Sequence, residues 1–296
     1  MMIARTALLL LTAAFSGLSG CNDNGVGTSM VKTNAIMLAD MQRHKVIVQT
    51  RAASYSVFPD TDDVEKLRDA TFLDAMHAET ANGSAFAVRA DGLILTNVHV
   101  VEGTNFCTGN SNEEPKSQEA VDKEVGRQKE AALREEGKKD TFCLLVNQSF
   151  TKVFRAKLVK LDKENDIAVM CVEHPGGSLP HLKIAAPGSY REGAEVLTIG
   201  SPLGNMNFMT PGFISNLDFV PQDKETGKKG APKIQFTAPI LPGNSGGPLV
   251  SVATGAVVGQ VVAIIMMRGV PTQMSYANPS EYLQQNSQSV PACGKK

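Results

Sequence analysis

A serine lies between glycines in the run Gly243-Asn244-Ser245-Gly246-Gly247, and this is the local sequence that a nucleophilic hydroxyl requires. Glycine tolerates positive φ angles and leaves room for a substrate, so such a loop can hold the hydroxyl exposed on a tight backbone. The amides of Gly243 and Ser245 could then bind the oxyanion that forms during acyl transfer. A glycine-rich hairpin with an incidental serine is the alternative.

The base for this serine must lie upstream of it. The loop also fits the Gly-x-Ser-x-Gly pattern of α/β-hydrolases, in which the acid and the histidine follow the serine. After Ser245 the sequence has no histidine and no aspartate, and its only acidic residue is Glu281. The α/β-hydrolase interpretation is therefore excluded.

His99 is the strongest candidate for the base. It follows a predicted strand over residues 93–96 and has apolar neighbours, whereas the other four histidines stand in polar or loop-like surroundings. Packing of this kind would hold an imidazole in place, as a general base requires. A histidine with a purely structural role would have the same surroundings.

Asp166 is the candidate that would orient the imidazole. It precedes the apolar run 167–170, and a carboxylate at the mouth of a buried strand can stay ionised while it points inward. There it would fix the tautomer of His99 and stabilise the imidazolium. The alternative is a strand-initiating aspartate in a solvated turn with Asp162, Glu164 and Asn165.

Short strands separated by Gly and Pro turns must position these residues, and they predict a sandwich or barrel. Residues 45–50 and 83–96 predict a strand and a hairpin, and 279–285 a short final helix. The other predicted strands are 142–147, 153–161, 166–172, 193–199, 210–217, 234–237, 256–265 and 273–277. Residues 108–142, rich in Glu, Lys, Gln and Ala, predict a solvated helical insertion, either a surface decoration or a regulatory segment.

The N-terminus predicts export. Residues 1–20 contain Arg5 and an apolar run that is too short to span a bilayer. The run ends in Leu18-Ser19-Gly20-Cys21, which resembles the lipobox of bacterial lipoproteins and implies a lipid anchor on Cys21 at the periplasm-facing surface of a cell-envelope membrane. An ordinary secretory signal is the alternative. The formal net charge of −1 gives no electrostatic case for nucleic-acid binding, and we expect no metal ion or cofactor.

Export makes disulfides possible, and four cysteines beyond Cys21 allow three pairings. We favour Cys107–Cys143, because this bridge would close the base of the insertion and would be worth roughly 3–4 kcal/mol in the chain-entropy model. Cys171 lies in an apolar strand and can be a simple buried thiol. The fourth cysteine is Cys293.

The order His99, Asp166, Ser245 is that of chymotrypsin-like proteases. The surrounding sequence resembles the HtrA/Deg-type trypsin-like serine proteases, in segments that follow the family's order between about residues 80 and 280. The matching segments are 83–86, 95–101, 166–170, 198–204, 210–215 and 243–250.

This resemblance implies an all-β fold of two chymotrypsin-like barrels with the active site between them. The protease domain would span residues 43–285, with barrels at about 43–180 and 187–278, a tether at 21–42 and a tail at 286–296. His99 would act as general base and then general acid, Asp166 would orient it, and Ser245 would attack the scissile carbonyl of a protein or peptide substrate. Asn244 would shape the oxyanion loop between Gly243 and Ser245.

The resemblance also points to a specificity pocket. In trypsin-like enzymes the residue six positions before the serine lies at the base of this pocket, and here it is Pro239. With Val262, Ala263 and Ile264 on the wall, we expect cleavage after small or medium apolar side chains.

Other interpretations stay open. HtrA proteases usually carry a PDZ domain after the protease, and the sequence ends before one, so we do not expect PDZ-based substrate capture. A homo-oligomer stays open, as do a resting binding or scaffold protein on the same fold and an esterase with the same triad.

Overall fold

The computed structural model describes residues 26–59, 83–102, 142–147, 153–173, 175–202, 207–222, 227, 229–267 and 270–294. Within these ranges it contains three helices and twelve strands. The helices are α1 (Val26–Ala53), α2 (Val98–Glu102) and α3 (Ser280–Gln288). The strands are β1 (Ser54–Pro59), β2 (Gly83–Ala87), β3 (Leu93–Thr96), β4 (Phe142–Asn147), β5 (Val153–Asp162), β6 (Ile167–Val172), β7 (Glu195–Gly200), β8 (Phe208–Phe219), β9 (Lys233–Phe236), β10 (Pro248–Ser251), β11 (Val257–Met267) and β12 (Val270–Pro279).

The strands form two closed barrels of six strands each. The first has the order β1-β2-β3-β6-β5-β4 and the second the order β10-β11-β12-β9-β8-β7. Closure leaves neither sheet with an exposed edge. The predicted all-β architecture of two barrels is therefore confirmed. The chain divides after Arg43 into two compact units, and both barrels lie in the second unit.

Strand β3 shows how one strand serves two cores. Ile94 packs inside the first barrel, whereas Leu93 and Leu95 belong to a second apolar cluster. That cluster also contains Leu197 and Val250 of the second barrel. Successive side chains of a strand point to opposite faces, so β3 is buried on both, and each fully buried leucine stabilises the fold by about 1.5–3 kcal/mol. The two barrels are thus joined by apolar packing.

The segment 45–50, predicted as a strand, is part of helix α1. The predicted tether, residues 21–42, is likewise helical from Val26 onward. Burial explains the error in the strand prediction: Val46, Thr50 and Ala53 are buried at helical spacing, while Val48 is 49% exposed. In a strand, residues 46, 48 and 50 would share one face. Six residues of apolar alternation are too few to separate the two periods.

The C-terminal segment is fastened to the first barrel. Helix α3 confirms the predicted final helix and buries Leu283 in the cluster between the barrels. Beyond the helix, Cys293 forms a disulfide with Cys171 of β6. The interpretation of Cys171 as a free buried thiol was wrong, because the chain after α3 returns to the first barrel. There Arg89 donates to the carbonyls of Val290 and Pro291 at 2.8 Å each.

Several predictions concern residues outside the described ranges. They include the signal segment 1–20, the lipidation site Cys21 and nearly all of the insertion 108–142. Cys143 is disulfide-bonded, and its predicted partner Cys107 also lies outside these ranges. Among the described helices, none is both long and apolar enough to cross a membrane.

Candidate active site

His99 lies in helix α2, a single turn that follows β3. Val98, Val100 and Val101 are buried beneath this turn, while the imidazole side chain is 49% exposed. The neighbours of His99 therefore anchor the backbone and leave the ring accessible to a substrate. This arrangement is the one that the apolar surroundings of His99 predict.

Asp166 holds His99 at two points. Its Oδ2 lies 2.7 Å from His99 Nδ1, and its Oδ1 accepts the backbone amide of His99 at 3.0 Å. A carboxylate beside Nδ1 selects the tautomer with the proton on Nδ1, so Nε2 presents a lone pair. The structure thus brings together the histidine and the aspartate that the sequence singled out as candidates. The pair has the tautomer and the accessible nitrogen that a general base needs.

The turn before β6 gives Asp166 an unusual backbone. Its φ is +58°, a left-handed conformation that Asp adopts more readily than most residues. Asp162 accepts the amide of Asn165 at 3.1 Å inside the turn. From outside it, Asn97 donates to the carbonyl of Asp166 at 2.8 Å and Asn278 to that of Asn165 at 2.7 Å. The backbone of this turn, held by these hydrogen bonds, thus sets the direction of the Asp166 carboxylate.

The serine loop requires glycine at two positions. Gly243 has φ +101°, and a Cβ there would lie 2.2 Å from the carbonyl oxygen of Ser201. Gly246 has φ +83°, and its Cβ would lie 2.1 Å from the carbonyl oxygen of Ser84. Any other residue would clash with backbone and be strained as well. The glycines of the motif are therefore explained by backbone packing.

Ser84 of β2 fixes the serine loop to the first barrel. Its hydroxyl donates to the carbonyl of Gly243 at 2.7 Å, and its amide donates to the carbonyl of Ser245 at 2.7 Å. The amides of Gly243 and Ser245, in contrast to their carbonyls, form no hydrogen bond within the described part of the chain. They are available for an oxyanion. The amide of Asn244 donates to Leu241 O at 3.0 Å, so Asn244 shapes the loop.

Contacts of the glycines place the serine loop beside α2. A Cβ on Gly246 would lie 3.2 Å from the amide of Asn97, two residues before His99. A Cβ on Gly83 would meet both Val100 and the carbonyl oxygen of Ser245. The main chain of the serine loop therefore lies close to the residues on either side of His99 in the chain.

The hydroxyl of Ser245 donates to the carbonyl of Val262 at 3.1 Å. Among the described residues, no hydrogen bond joins this hydroxyl to the ring of His99. A serine hydroxyl changes partner by rotation of χ1 between staggered positions. The structure thus joins His99 and Asp166 directly, while the hydroxyl of Ser245 is bonded to Val262.

The predicted pocket residues are only partly described. Val262, in β11, is half-buried beside Ser245, and Pro239 is exposed between β9 and the serine loop. Ala263 and Ile264 follow in β11, with side chains outside the described set. Leu241, at the start of the serine loop, is exposed and was not singled out from the sequence.

The buried polar residues behind the site were not predicted from the sequence. Ser84 and Asn97 carry the serine loop and the Asp166 turn, yet a single polar residue near a strand gives no local signal. Lys233 is only 7% exposed, and burial lowers its pKa, while the charges of Asp166 and Asp162 act in the opposite direction. The one available signal was Gln260, a polar residue inside the apolar run of β11.

Comparisons with known proteins agree with this arrangement. Residues 83–259 match the family model described as "Trypsin-like peptidase domain". A "Probable periplasmic serine endoprotease DegP-like" of Ectopseudomonas mendocina is 31% identical over 72% of this chain and 36% of its own length. "Protease Do-like 1, chloroplastic" of Arabidopsis thaliana is 27% identical over 72% of this chain and 40% of its own length. The chain thus spans well under half the length of these curated relatives.

A solved structure shares the fold. The "HtrA-type protease AlgW with decapeptide" superimposes with a TM-score of 0.57 and 21% identity, over 83% of this chain and 66% of that one. With the two closed six-stranded barrels, this similarity confirms the chymotrypsin-like double barrel.

Proposed function

The chain belongs to the trypsin-like peptidase domain family, and on this premise we propose that it is a serine endopeptidase with His99, Asp166 and Ser245 as its triad. The single observation that carries the proposal is the double grip of Asp166 on His99, at 2.7 Å to the ring and 3.0 Å to the backbone amide. A carboxylate in this position stabilises the imidazolium that forms when the base accepts a proton.

The reaction begins when Ser245 turns its hydroxyl from Val262 toward Nε2 of His99. The oxygen attacks the scissile carbonyl while Nε2 takes its proton. The tetrahedral oxyanion accepts hydrogen bonds from the amides of Gly243 and Ser245. Protonated His99 then gives its proton to the leaving amine, and water, activated by the same imidazole, hydrolyses the acyl-enzyme and regenerates the serine.

Substrate preference follows from the lining of the specificity pocket. Pro239 stands where a carboxylate would select basic side chains, and Val262, Ala263 and Ile264 are apolar. The enzyme would therefore cleave after small or medium apolar residues. Profiling a peptide library tests this preference, and predominant cleavage after Lys or Arg would contradict it.

Location in the bacterial cell envelope is part of the same proposal. The DegP-like relatives named as periplasmic endoproteases support it, and the lipobox-like sequence before Cys21 supports a lipid anchor. Proteins of this compartment would be the substrates. Metabolic labelling with a radioactive fatty acid, compared between the full chain and Cys21→Ala, tests the anchor.

A fluorophosphonate probe tests the chemistry directly, because it reacts only with an activated serine. We expect labelling of the folded protein, loss of labelling in Ser245→Ala, and retained labelling in Ser189→Ala, which changes an exposed serine away from the site. A folded wild-type protein that never reacts would instead favour a scaffold whose Ser245 hydroxyl stays on Val262.

A further inference from the structure

A buried polar cluster lies against the turn that carries Asp166. It consists of Asn97 from the first barrel and Lys233, Gln260 and Asn278 from the second. The three amide side chains are fully or almost fully buried, and Lys233 is 7% exposed. Buried polar groups are costly unless they are paired, so the contacts of this cluster need an explanation.

The cluster holds the main chain on both sides of the Asn165–Asp166 step. Asn278 Nδ2 donates to the carbonyl of Asn165 at 2.7 Å, and Asn97 Nδ2 donates to that of Asp166 at 2.8 Å. The same two amides also donate to Oε1 of Gln260, at 3.3 Å and 3.2 Å. One residue of each barrel therefore donates a hydrogen bond to the turn, and Gln260 accepts a hydrogen bond from both of these residues.

Lys233 decides which way the amide of Asn278 faces. Its ammonium group donates to Oδ1 of Asn278. Because an ammonium has donors and no acceptor, the oxygen of Asn278 must face Lys233 and its NH₂ must face Asn165. A reversed amide would place two donors together and remove the bond to the turn.

Lys233 also brings a buried charge to the acid of the triad. Burial lowers the pKa of Lys233, and the negative charges of Asp166 and then Asp162 raise it. Tyr276 of β12 also senses Asp166, whose charge adds to burial in raising the pKa of the phenol. The imidazole of His99 contacts the same carboxylate directly. The titratable groups that interact with Asp166 are thus the imidazole from α2, the ammonium from β9 and the phenol from β12, and Asp162 of the same turn acts on that ammonium as well.

We propose that Lys233 is a positioning residue for Asp166. Acting through Asn278, it fixes the peptide that aims the carboxylate at His99, and its charge competes with the imidazolium for that carboxylate. This inference rests on the proposed protease function and adds a residue that touches neither substrate nor nucleophile.

Two kinetic effects follow from removing the charge in Lys233→Met. No other cation would then compete with His99 for Asp166, which favours the protonated imidazole, so the acid limb of the kcat/KM profile should move to higher pH by about half a unit. A looser turn should also lower kcat roughly tenfold with KM near the wild-type value, because positioning matters most in the transition state.

The experiment compares four proteins on one peptide across pH: wild type, Lys233→Met, Lys233→Arg and the exposed-lysine control Lys183→Met. We expect Lys233→Arg to restore the acid limb and Lys183→Met to match wild type. Thermal unfolding of each protein checks that the activity is that of folded enzyme. If Lys233→Met does not fold, Asn278→Asp replaces it, since Asp keeps a partner for Lys233, cancels its charge and loses the donor to Asn165.

The outcomes separate this inference from the proposed function. A wild-type protein that neither cleaves peptides nor reacts with fluorophosphonate overturns the protease function. The low-field proton resonance of His99 Nδ1–H still tests Lys233 in that case, because it reports the contact with Asp166 without turnover. An active wild type whose folded Lys233→Met and Asn278→Asp variants keep the same acid limb and the same resonance overturns the role of Lys233.

Discussion

The two halves of the candidate site are held by different kinds of interaction. In the first barrel, Asp166 and His99 bind each other through their side chains, and the acid also binds the backbone of the base. In the second barrel, the serine loop is held through its carbonyls, and the hydroxyl of Ser245 is left with Val262. The proposed base and its acid are therefore already in contact, whereas in the proposed mechanism the hydroxyl of Ser245 still has to turn.

This difference assigns different sensitivities to the two halves. Changes at the contact between His99 and Asp166 should damage proton transfer and leave the serine loop intact. Changes in the serine loop or in the residue that holds it should damage oxyanion binding and leave the His99–Asp166 pair intact. The four substitutions below, in order of decreasing effect on activity, test this division.

Asp166→Asn should cause the largest loss among these four changes. An amide can donate toward Nδ1 of His99, which would place the proton on Nε2 and remove the base. We expect kcat to fall by about 10³–10⁴-fold with KM almost unchanged. Steady-state kinetics on a peptide measures this loss. A fall of less than tenfold would show that the grip on His99 is not what activates the serine.

Gly243→Ala should be the most damaging change in the serine loop. The new Cβ would lie 2.2 Å from the carbonyl oxygen of Ser201, at φ +101°. We expect kcat/KM to fall by about 10²–10³-fold, as for the loss of an oxyanion donor, with a stability loss of about 1–3 kcal/mol.

The matched control for this change is Gly188→Ala. Gly188 also has a positive φ, +71°, but its Cβ would meet nothing within 4 Å. It should cost stability from backbone strain alone and leave kcat/KM near wild type. If Gly243→Ala and Gly188→Ala lower kcat/KM equally, the proposed role of the serine loop in oxyanion binding is contradicted.

Ser84→Ala should have an intermediate effect. It removes the hydrogen bond to the carbonyl of Gly243 at 2.7 Å and leaves the amide of Ser201 without its acceptor at 3.1 Å. A buried polar group left unpaired costs about 1–3 kcal/mol, so we expect a measurable fall in stability and about a tenfold loss of kcat/KM. Ser84→Thr, which keeps the hydroxyl, provides the comparison. Wild-type kinetics in Ser84→Ala would contradict the role of Ser84 in holding the serine loop.

Cys293→Ser should affect activity least. The bridge joins Cys293 to Cys171, which is 122 residues earlier in the sequence, and it lies outside the site. Its loss should lower the free energy of unfolding by about 2–4 kcal/mol, while kcat/KM changes less than threefold because the turn that carries Asp166 keeps its hydrogen bonds from Asn97 to Asp166 and from Asn278 to Asn165. Denaturant unfolding of the wild type and of Cys293→Ser, both without reductant so that the disulfide of Cys143 stays intact, measures the first effect. A large kinetic loss would show that the C-terminal segment positions the triad.

The sequence predicted most strands because their signals are local. Apolar alternation and Gly or Pro turns give the limits of β4 without error and those of β5 and β6 to within one residue. The one strand placed wrongly, residues 45–50, lies in α1, where Val46 and Thr50 become buried together only when the barrel packs against that helix face. A short apolar run does not carry this information.

The sequence by itself indicated the candidate chemistry: a serine flanked by glycines, a histidine that follows one apolar strand, an aspartate that precedes another, and a proline rather than an acidic residue at position 239. Those features are read from residue type and spacing. Tertiary structure alone decided how the site is supported, with Ser84 on the serine loop, Lys233 and Asn278 on the Asp166 turn, and Cys171 bonded to Cys293. These partners are far apart in sequence, and only closing and packing the two barrels brings their polar groups into a common interior where each must be paired.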